Sequence, residues 1–177
     1  MRNITFIVVH CSANSEGSKL RVSDIDRYHR SLGWKGCGYH YVIPTDGTIE
    51  RGREESVAGA HCKGHNSHSI GVCYVGGLAS DCRTPKDTRT VEQKDALRRL
   101  LTELHRRHPK ALIVGHADLD RRKPCCPGFD VIKEYHSIQP TSSEVQCLTA
   151  QHQEVAQLAS PFSYHSFWAA VAHRRSY

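Results

Sequence analysis

The sequence feature that most constrains the fold is a set of short, β-branched apolar runs. ITFIVV at residues 4–9 is followed directly by His10, and ALIVG at residues 111–115 is followed by His116. Runs of this length and composition are typical of strands that are buried on both faces. The sequence therefore predicts a central sheet, in which SIGVCYVGG at residues 69–77 forms another buried strand.

Helical and turn signals lie between these runs. Apolar residues follow helical spacing over residues 22–32 and over residues 91–107, where the capping box TVEQ marks the start of a long amphipathic helix. The Asp-Gly pair in IPTDGTIE predicts a hairpin, and a last helix is expected at about residues 130–136. The order β-α-β-β-β-α-β-α predicts an α/β fold, with a mixed central sheet and helices packed on it.

The chain changes character after Gln139, where the clear periodicity ends. A length of 177 residues suits one compact domain with an appendage. We therefore predict one domain over residues 1–138 and a C-terminal extension over residues 139–177, to which the residues assign no role.

Charge and hydropathy limit the partners. The net charge of +6 favours an acidic partner, such as nucleic acid, a membrane surface or a bacterial wall polymer. No apolar run approaches the roughly 20 residues that a membrane-spanning helix needs. No nucleic-acid-binding motif accompanies the charge, so neither a membrane nor nucleic acid is the expected partner. The N-terminus shows no secretion signal, which predicts synthesis in the cytoplasm.

The stretch KPCCPGFD at residues 123–130 contains two adjacent cysteines between prolines. A disulfide between neighbours closes a strained ring, so the pair is a poor structural device. A thiolate on a proline-stiffened turn is instead a rigid donor for a metal. No C-x-x-C pair occurs among the eight cysteines, so a structural zinc finger is not expected, and most of the thiols are predicted to be reduced.

His10 and His116 stand out among the thirteen histidines because each follows an apolar run, where the chain leaves the sheet. Strand ends are positions at which a fold presents rigid ligands to a cleft. Two imidazoles and one thiolate from KPCCPGFD would make a three-ligand zinc site, and catalytic zinc sites keep the fourth position for water. The residues alone leave an alternative open, in which both histidines bond to backbone groups and the cysteine packs in a turn.

Six motifs occur in order along the chain: VHCSA, GYHYVI, DGTIERGR, GAHCKGHNSHSIGVCYVGG, GHADL and CCPGFD. Together they resemble the zinc-dependent N-acetylmuramoyl-L-alanine amidases of the phage T7 lysozyme type, which are related to peptidoglycan recognition proteins. The resemblance covers roughly residues 4–136. It implies a Zn²⁺ cofactor and hydrolysis of the amide bond between N-acetylmuramic acid and L-alanine in bacterial peptidoglycan. It also implies an endolysin-like protein, expected as a monomer, that acts on the cell wall after release.

The resemblance assigns the metal ligands to His10, His116 and Cys126. Cys126 is chosen because it precedes the family's Pro-x-Phe-Asp, which leaves Cys125 as a neighbour. Tyr39 of GYH matches the catalytic tyrosine, whose phenol would donate to the oxyanion that develops during attack on the amide. Without the resemblance, a tyrosine packed on the sheet is the alternative.

Lys123 is where the sequence departs from the family. The family carries lysine two residues before the ligand cysteine, in K-x-C-P, whereas Lys123 lies three residues before Cys126. Either Lys123 reaches the same place through a different turn, or Cys125 is the ligand, or the role has shifted. A lysine there would stabilise negative charge on the tetrahedral intermediate.

His61 and Lys63 lie in GAHCKGHNSHSIG, which resembles the loop bordering the substrate groove. The resemblance implies that they contact carboxylates of the muropeptide. Two other functions fit parts of the sequence. One is a recognition module that binds muropeptides without cutting them, and the other is an inhibitor of a nucleic-acid enzyme, since the T7-type family includes a member that also binds RNA polymerase. Retention of a ligand cysteine argues against the first, and no recognisable surface supports the second.

Overall fold

A five-stranded mixed sheet forms the centre of the protein. The computed structural model describes residues 2–141. The strands of this sheet are β1 (Phe6–Cys11), β3 (Tyr41–Ile43), β4 (Glu50–Arg51), β5 (Ser69–Tyr74) and β7 (Leu112–Gly115). They lie in the order β4-β3-β5-β1-β7, in which only the β3–β4 pair is antiparallel. Two short strands, β2 (Asn14–Ser15) and β6 (Gly77–Leu78), pair separately in parallel.

Four α-helices and two 3₁₀ turns complete the part of the chain that the structure describes. The helices are α1 (Val22–Ser31), α2 (Val91–Arg107), α3 (His116–Leu119) and α4 (Val131–Glu134), and the 3₁₀ turns are Asn66–His68 and His136–Ile138. The predicted α/β fold is thus confirmed. The described residues contain no helix of the length and apolar character that a membrane crossing requires. Nearly all of the predicted extension at 139–177 lies outside the described residues, so the domain boundary at 138 and the role of the extension stay predictions.

The predicted elements differ from the observed ones mainly at their ends. The strand expected over residues 69–77 ends at Tyr74, because Gly76 and Gly77 take φ values of +138° and +104° and turn the chain. The last helix, expected over residues 130–136, has α-helical geometry only over Val131–Glu134 and continues as a 3₁₀ turn.

The two faces of the sheet have different roles. Strand residues alternate between faces, so Ile7 and Val9 of β1 lie on one face while Val8 and His10 lie on the other. The first face packs against the apolar stripe of α2 and forms the main core, which includes Ile43, Ile70, Val72, Tyr74, Leu97, Leu101, Leu104 and Ile113. On the second face a smaller cluster joins Val42 to Ile25 of α1. The main core therefore lies between the sheet and α2, and the side chain of His10 is on the opposite face of the sheet from this core.

Gln93 connects α2 to the sheet. Its side chain is fully buried, and its Nε2 donates to the carbonyl oxygens of Ile43 and Val75, each at 2.9 Å. Its Oε1 accepts from the Thr90 amide at 3.0 Å, while the Thr90 hydroxyl oxygen accepts from the Gln93 amide at 3.1 Å. Gln93 of the predicted capping box therefore also donates to two carbonyls at the places where β3 and β5 end.

Replacing Gln93 with leucine keeps the side-chain volume similar but removes both donors. We expect Gln93→Leu to lower the free energy of unfolding by about 1–3 kcal/mol, because the carbonyls of Ile43 and Val75 each lose a buried donor, although the Ile43 carbonyl keeps the hydrogen bond from the Val75 amide. Urea unfolding measures this change, with the exposed neighbour Lys94→Ala as the control. Equal stability of the two variants would contradict this account of the helix–sheet connection.

Candidate active site

The register of the sheet places His10 beside His116. Strands β1 and β7 pair in parallel, with Val9 opposite Gly115, so that the next residue along each chain is a histidine. Both imidazoles are buried, and their ring centroids lie 4.5 Å apart. Two side chains far apart in sequence thus meet at the carboxyl ends of adjacent strands, as the sequence predicted for a cleft there.

The start of α3 fixes His116 and joins it to the cysteine turn. Asp118 Oδ2 accepts from the Gly115 amide at 2.7 Å, and the Ala117 amide donates to the Cys126 carbonyl at 2.9 Å. A Cβ atom on Gly115 would lie 3.0 Å from Cδ of Pro127. Glycine is therefore the residue that lets the turn approach the strand end so closely.

The segment after Lys123 folds into a tight turn that presents Cys126. The Cys126 amide donates to the Lys123 carbonyl at 3.1 Å, and the bond between Cys126 and Pro127 is cis. The hydroxyl of Tyr74, from β5, donates to the Pro127 carbonyl at 2.6 Å. Cys125 is exposed, whereas Cys126 is half-buried.

A buried arginine anchors the chain beyond this turn. The side chain of Arg89 is 1% exposed and makes ion pairs with Asp87 and Glu134, each at 2.8 Å. Its guanidinium also lies 3.2 Å from the ring centroid of Phe129. The segment that follows Cys126 is thereby held against the segment that precedes α2, which limits how far the cysteine can move.

His10, His116 and Cys126 converge on one point. One ligand atom from each, a ring nitrogen or the sulfur, lies within 4.8 Å of the other two. No other group of three potential ligands among histidine, cysteine and the acidic residues is found in the described part of the chain. Two imidazole nitrogens and one thiol sulfur form a donor set that suits zinc, and three protein ligands leave a position open. These residues therefore fit a catalytic zinc ion.

The electrostatics of the cluster favour metal binding. Burial lowers the pKa of His10 well below its ordinary value, and the neighbouring His61 and His116 add to this effect. Burial also lowers the pKa of His116. Both imidazoles are therefore neutral at neutral pH, so each has a nitrogen lone pair for a metal.

Cys126 is paired with a second thiol. The amide of Cys11 donates to Cys126 Sγ at 3.5 Å, and the thiols of Cys11 and Cys126 are hydrogen-bonded to each other, with their Sγ atoms 3.9 Å apart. The hydrogen bond with Cys11, followed by burial, raises the pKa of Cys126 well above its ordinary value. A metal ion must therefore displace a proton from this sulfur, after which the Cys11 amide remains as a donor to the thiolate.

Tyr39 lies at the edge of the cluster. It is half-buried, and its ring centroid is 5.2 Å from that of His10. Burial raises the pKa of its phenol well above the ordinary value, so the hydroxyl stays protonated and can donate a hydrogen bond. The tyrosine also lines a groove of about 510 Å³ between the loop after β1 and helix α1, together with Ser12, Asn14, Leu20, Tyr28 and His29.

Lys123 is exposed and forms the first residue of the turn that ends at Cys126. Its positive charge is close enough to His116 to add to the lowering of that pKa by burial. The turn brings the two ends of the Lys123–Cys126 stretch together, so the extra residue in the sequence does not carry the lysine away from the cluster. Lys63 is also exposed, and nothing in the structure connects it to the three potential ligands.

His61 occupies a different position from the one expected at the edge of a groove. It is buried, and its Nδ1 lies 3.0 Å from Nε2 of His10. Sequence reasoning missed this contact, because nothing in the loop sequence shows which residue reaches the sheet. A contact between His61 and substrate stays a prediction.

Comparison with known proteins agrees with the fold and the site. The family model Amidase_2, N-acetylmuramoyl-L-alanine amidase, matches residues 1–129. The endolysin of Enterobacteria phage K11 is 42% identical over 123 residues, which cover 70% of this chain and 80% of that protein. The endolysin of Escherichia phage T7 is 37% identical over 139 residues, which cover 78% and 89% of the two chains.

A solved structure with the same fold is the N-acetylmuramoyl-L-alanine amidase LysC from Clostridium intestinale URNW. It is 28% identical, with a TM-score of 0.63 over 77% of this chain and 83% of LysC. The chain belongs to the Amidase_2 family of N-acetylmuramoyl-L-alanine amidases. Its activity is hydrolysis of the amide bond between N-acetylmuramic acid and L-alanine in peptidoglycan, so the predicted family, enzyme class and reaction are confirmed.

Proposed function

We propose that this amidase depends on one zinc ion, bound by His10, His116 and Cys126, and that it acts on the bacterial cell wall as endolysins do. The observation that carries the proposal is the convergence of the three ligand atoms within 4.8 Å of one another. Zinc bound there would supply a Lewis acid that polarises the scissile carbonyl and acidifies a water molecule. All three ligands come from one chain, which is consistent with a monomer.

Tyr39 supplies the hydrogen-bond donor of this mechanism. Its phenol is protonated and close to His10, so it can donate to the carbonyl oxygen of the substrate as negative charge develops there. The ring packs against the cluster that joins α1 to the sheet, which limits the positions that the hydroxyl can take. This arrangement stabilises the transition state more than the ground state.

Lys123 adds positive charge at the rim of the site. Its position in the turn before Cys126 lets the ammonium group face an anionic intermediate without being buried. Water screens an exposed charge, so its contribution is smaller than that of the tyrosine. Lys123 therefore makes a secondary contribution to stabilising the anionic intermediate.

The groove beside Tyr39 is the proposed site for the muropeptide. It runs from Tyr39 along helix α1 and is about 510 Å³ in volume. The net charge of +6 favours an anionic wall polymer, and the exposed Lys63 is a proposed contact for a carboxylate of the stem peptide.

The two adjacent cysteines give a matched test of the metal site. Cys126→Ser should abolish both zinc binding and muropeptide cleavage, because it removes the only ligand sulfur. Cys125→Ser should retain about one zinc per chain and most of the activity, because Cys125 is exposed and lies outside the cluster. Metal analysis of the purified proteins and a cleavage assay with and without chelator measure both effects. The reverse result would make Cys125 the ligand and restore the family spacing to Lys123.

Tyr39→Phe tests the oxyanion donor. We expect kcat to fall by about 10²–10³, the usual cost of removing one such donor, while zinc content and KM stay near those of the wild type. Steady-state kinetics on a soluble muropeptide, together with metal analysis, separate these quantities. An unchanged kcat would show that the tyrosine has only a packing role.

A further inference from the structure

The imidazoles of His61, His10 and His116 are neighbours in that order. The ring centroids of His61 and His10 are 5.0 Å apart, and those of His10 and His116 are 4.5 Å apart. His61 Nδ1 faces His10 Nε2 at 3.0 Å, and His61 Nε2 faces the hydroxyl of Ser69 at 3.3 Å. One ring nitrogen of His10 is thus engaged by a buried residue that is outside the set of potential metal ligands.

The His61 ring is closely packed by the residues around it. Gly59 and Gly71 flank it, and a Cβ atom on either glycine would overlap the His61 ring. The loop is fixed as well, since the amides of His61 and Cys62 both donate to Asn66 Oδ1, at 2.9 and 3.0 Å. The contact with His10 therefore belongs to a rigid, closely packed arrangement.

With a metal ion bound to His10, the hydrogen bonds of His10 and His61 favour one arrangement of the ring protons. Two ring nitrogens 3.0 Å apart share one proton, and a nitrogen that binds a metal carries none. If His10 Nε2 donates to His61 Nδ1, then His10 Nδ1 is free for the metal. His61 is then protonated at Nε2 and donates to Ser69, so both ring nitrogens of His61 have a partner.

We propose that His61 is a positioning residue, whose Nδ1 accepts the Nε2 proton of His10 and so holds His10 with Nδ1 directed at the metal. This inference rests on the proposed zinc site. Metal-binding histidines are commonly oriented by an acceptor on the second ring nitrogen, and a neutral imidazole serves as that acceptor here. The role differs from the contact with substrate that the sequence predicted for His61.

Two variants of His61 separate the two ring nitrogens. Asparagine places its amide oxygen near the position of Nδ1, so His61→Asn keeps an acceptor for His10 and loses the bond to Ser69. Glutamine reaches the position of Nε2, so His61→Gln keeps the bond to Ser69 and loses the acceptor. His65→Asn, in the same loop but against Phe6, is the control.

Competition with a chromophoric chelator measures the zinc affinity of each purified protein, and thermal unfolding of the metal-free forms checks the fold. We expect His61→Gln to bind zinc about 10–100-fold more weakly than the wild type, while His61→Asn and His65→Asn stay close to it. Equal affinities of His61→Gln and the wild type would overturn the proposal, as would equal losses in the Gln and Asn variants. Failure of the wild type to bind zinc would instead contradict the proposed zinc site.

Long-range ¹H–¹⁵N spectra of the wild-type zinc protein give a readout that needs no variant. We expect His10 and His61 each to carry the ring proton on Nε2. A proton on Nδ1 of either residue would overturn the proposal, whatever the stability of the variants. If His61 only contacted substrate, His61→Gln would raise KM and leave the zinc affinity unchanged. That result would also overturn the positioning proposal.

Discussion

The parallel pairing of β1 with β7 is the constraint on which the site depends. In the observed register Val9 lies opposite Gly115, so the residue that follows this pair is a histidine in each chain segment. A slip of one residue would move His10 to the opposite face, into the apolar core against α2. The register is held because β1 is an interior strand, paired with β5 on one side and β7 on the other, with Ile7 and Val9 fully buried.

The third side chain of the cluster is positioned by backbone contacts rather than by a strand. The Cys126 carbonyl accepts a hydrogen bond from the Ala117 amide of α3, and the Pro127 carbonyl accepts one from the Tyr74 hydroxyl of β5. The cysteine turn is thus held by α3, which begins with His116, and by β5, which pairs with the strand that contains His10. Burial keeps the imidazoles neutral, so the cluster has nitrogen lone pairs for a metal, and the two imidazoles carry no positive charge that would oppose a cation.

Much of the fold could be predicted because its signals are local. The stripe of leucines and the capping box give α2 its observed bounds, and the apolar runs give three central strands. The position of His10 and His116 after two such runs was also visible in the sequence. Strand ends were less predictable, since glycine conformation at residues 76 and 77 decides where β5 stops.

The surroundings of the cluster depend on contacts between distant segments, and these were not visible in the sequence. The choice of Cys126 over Cys125 rested on a family motif, whereas the structure separates them by burial and by distance to the histidines. The contact between His61 and His10 requires the loop before β5 to fold onto the sheet, with glycines at 59 and 71 making room. No periodicity or local motif encodes such a contact.

X-ray absorption at the zinc K edge of the purified protein tests the central claim most directly. The account predicts one sulfur at roughly 2.3 Å and two imidazole nitrogens at roughly 2.0 Å, with one further light atom completing the shell. A zinc shell with no sulfur, with two sulfurs, or with only one imidazole would contradict a centre built from His10, His116 and Cys126.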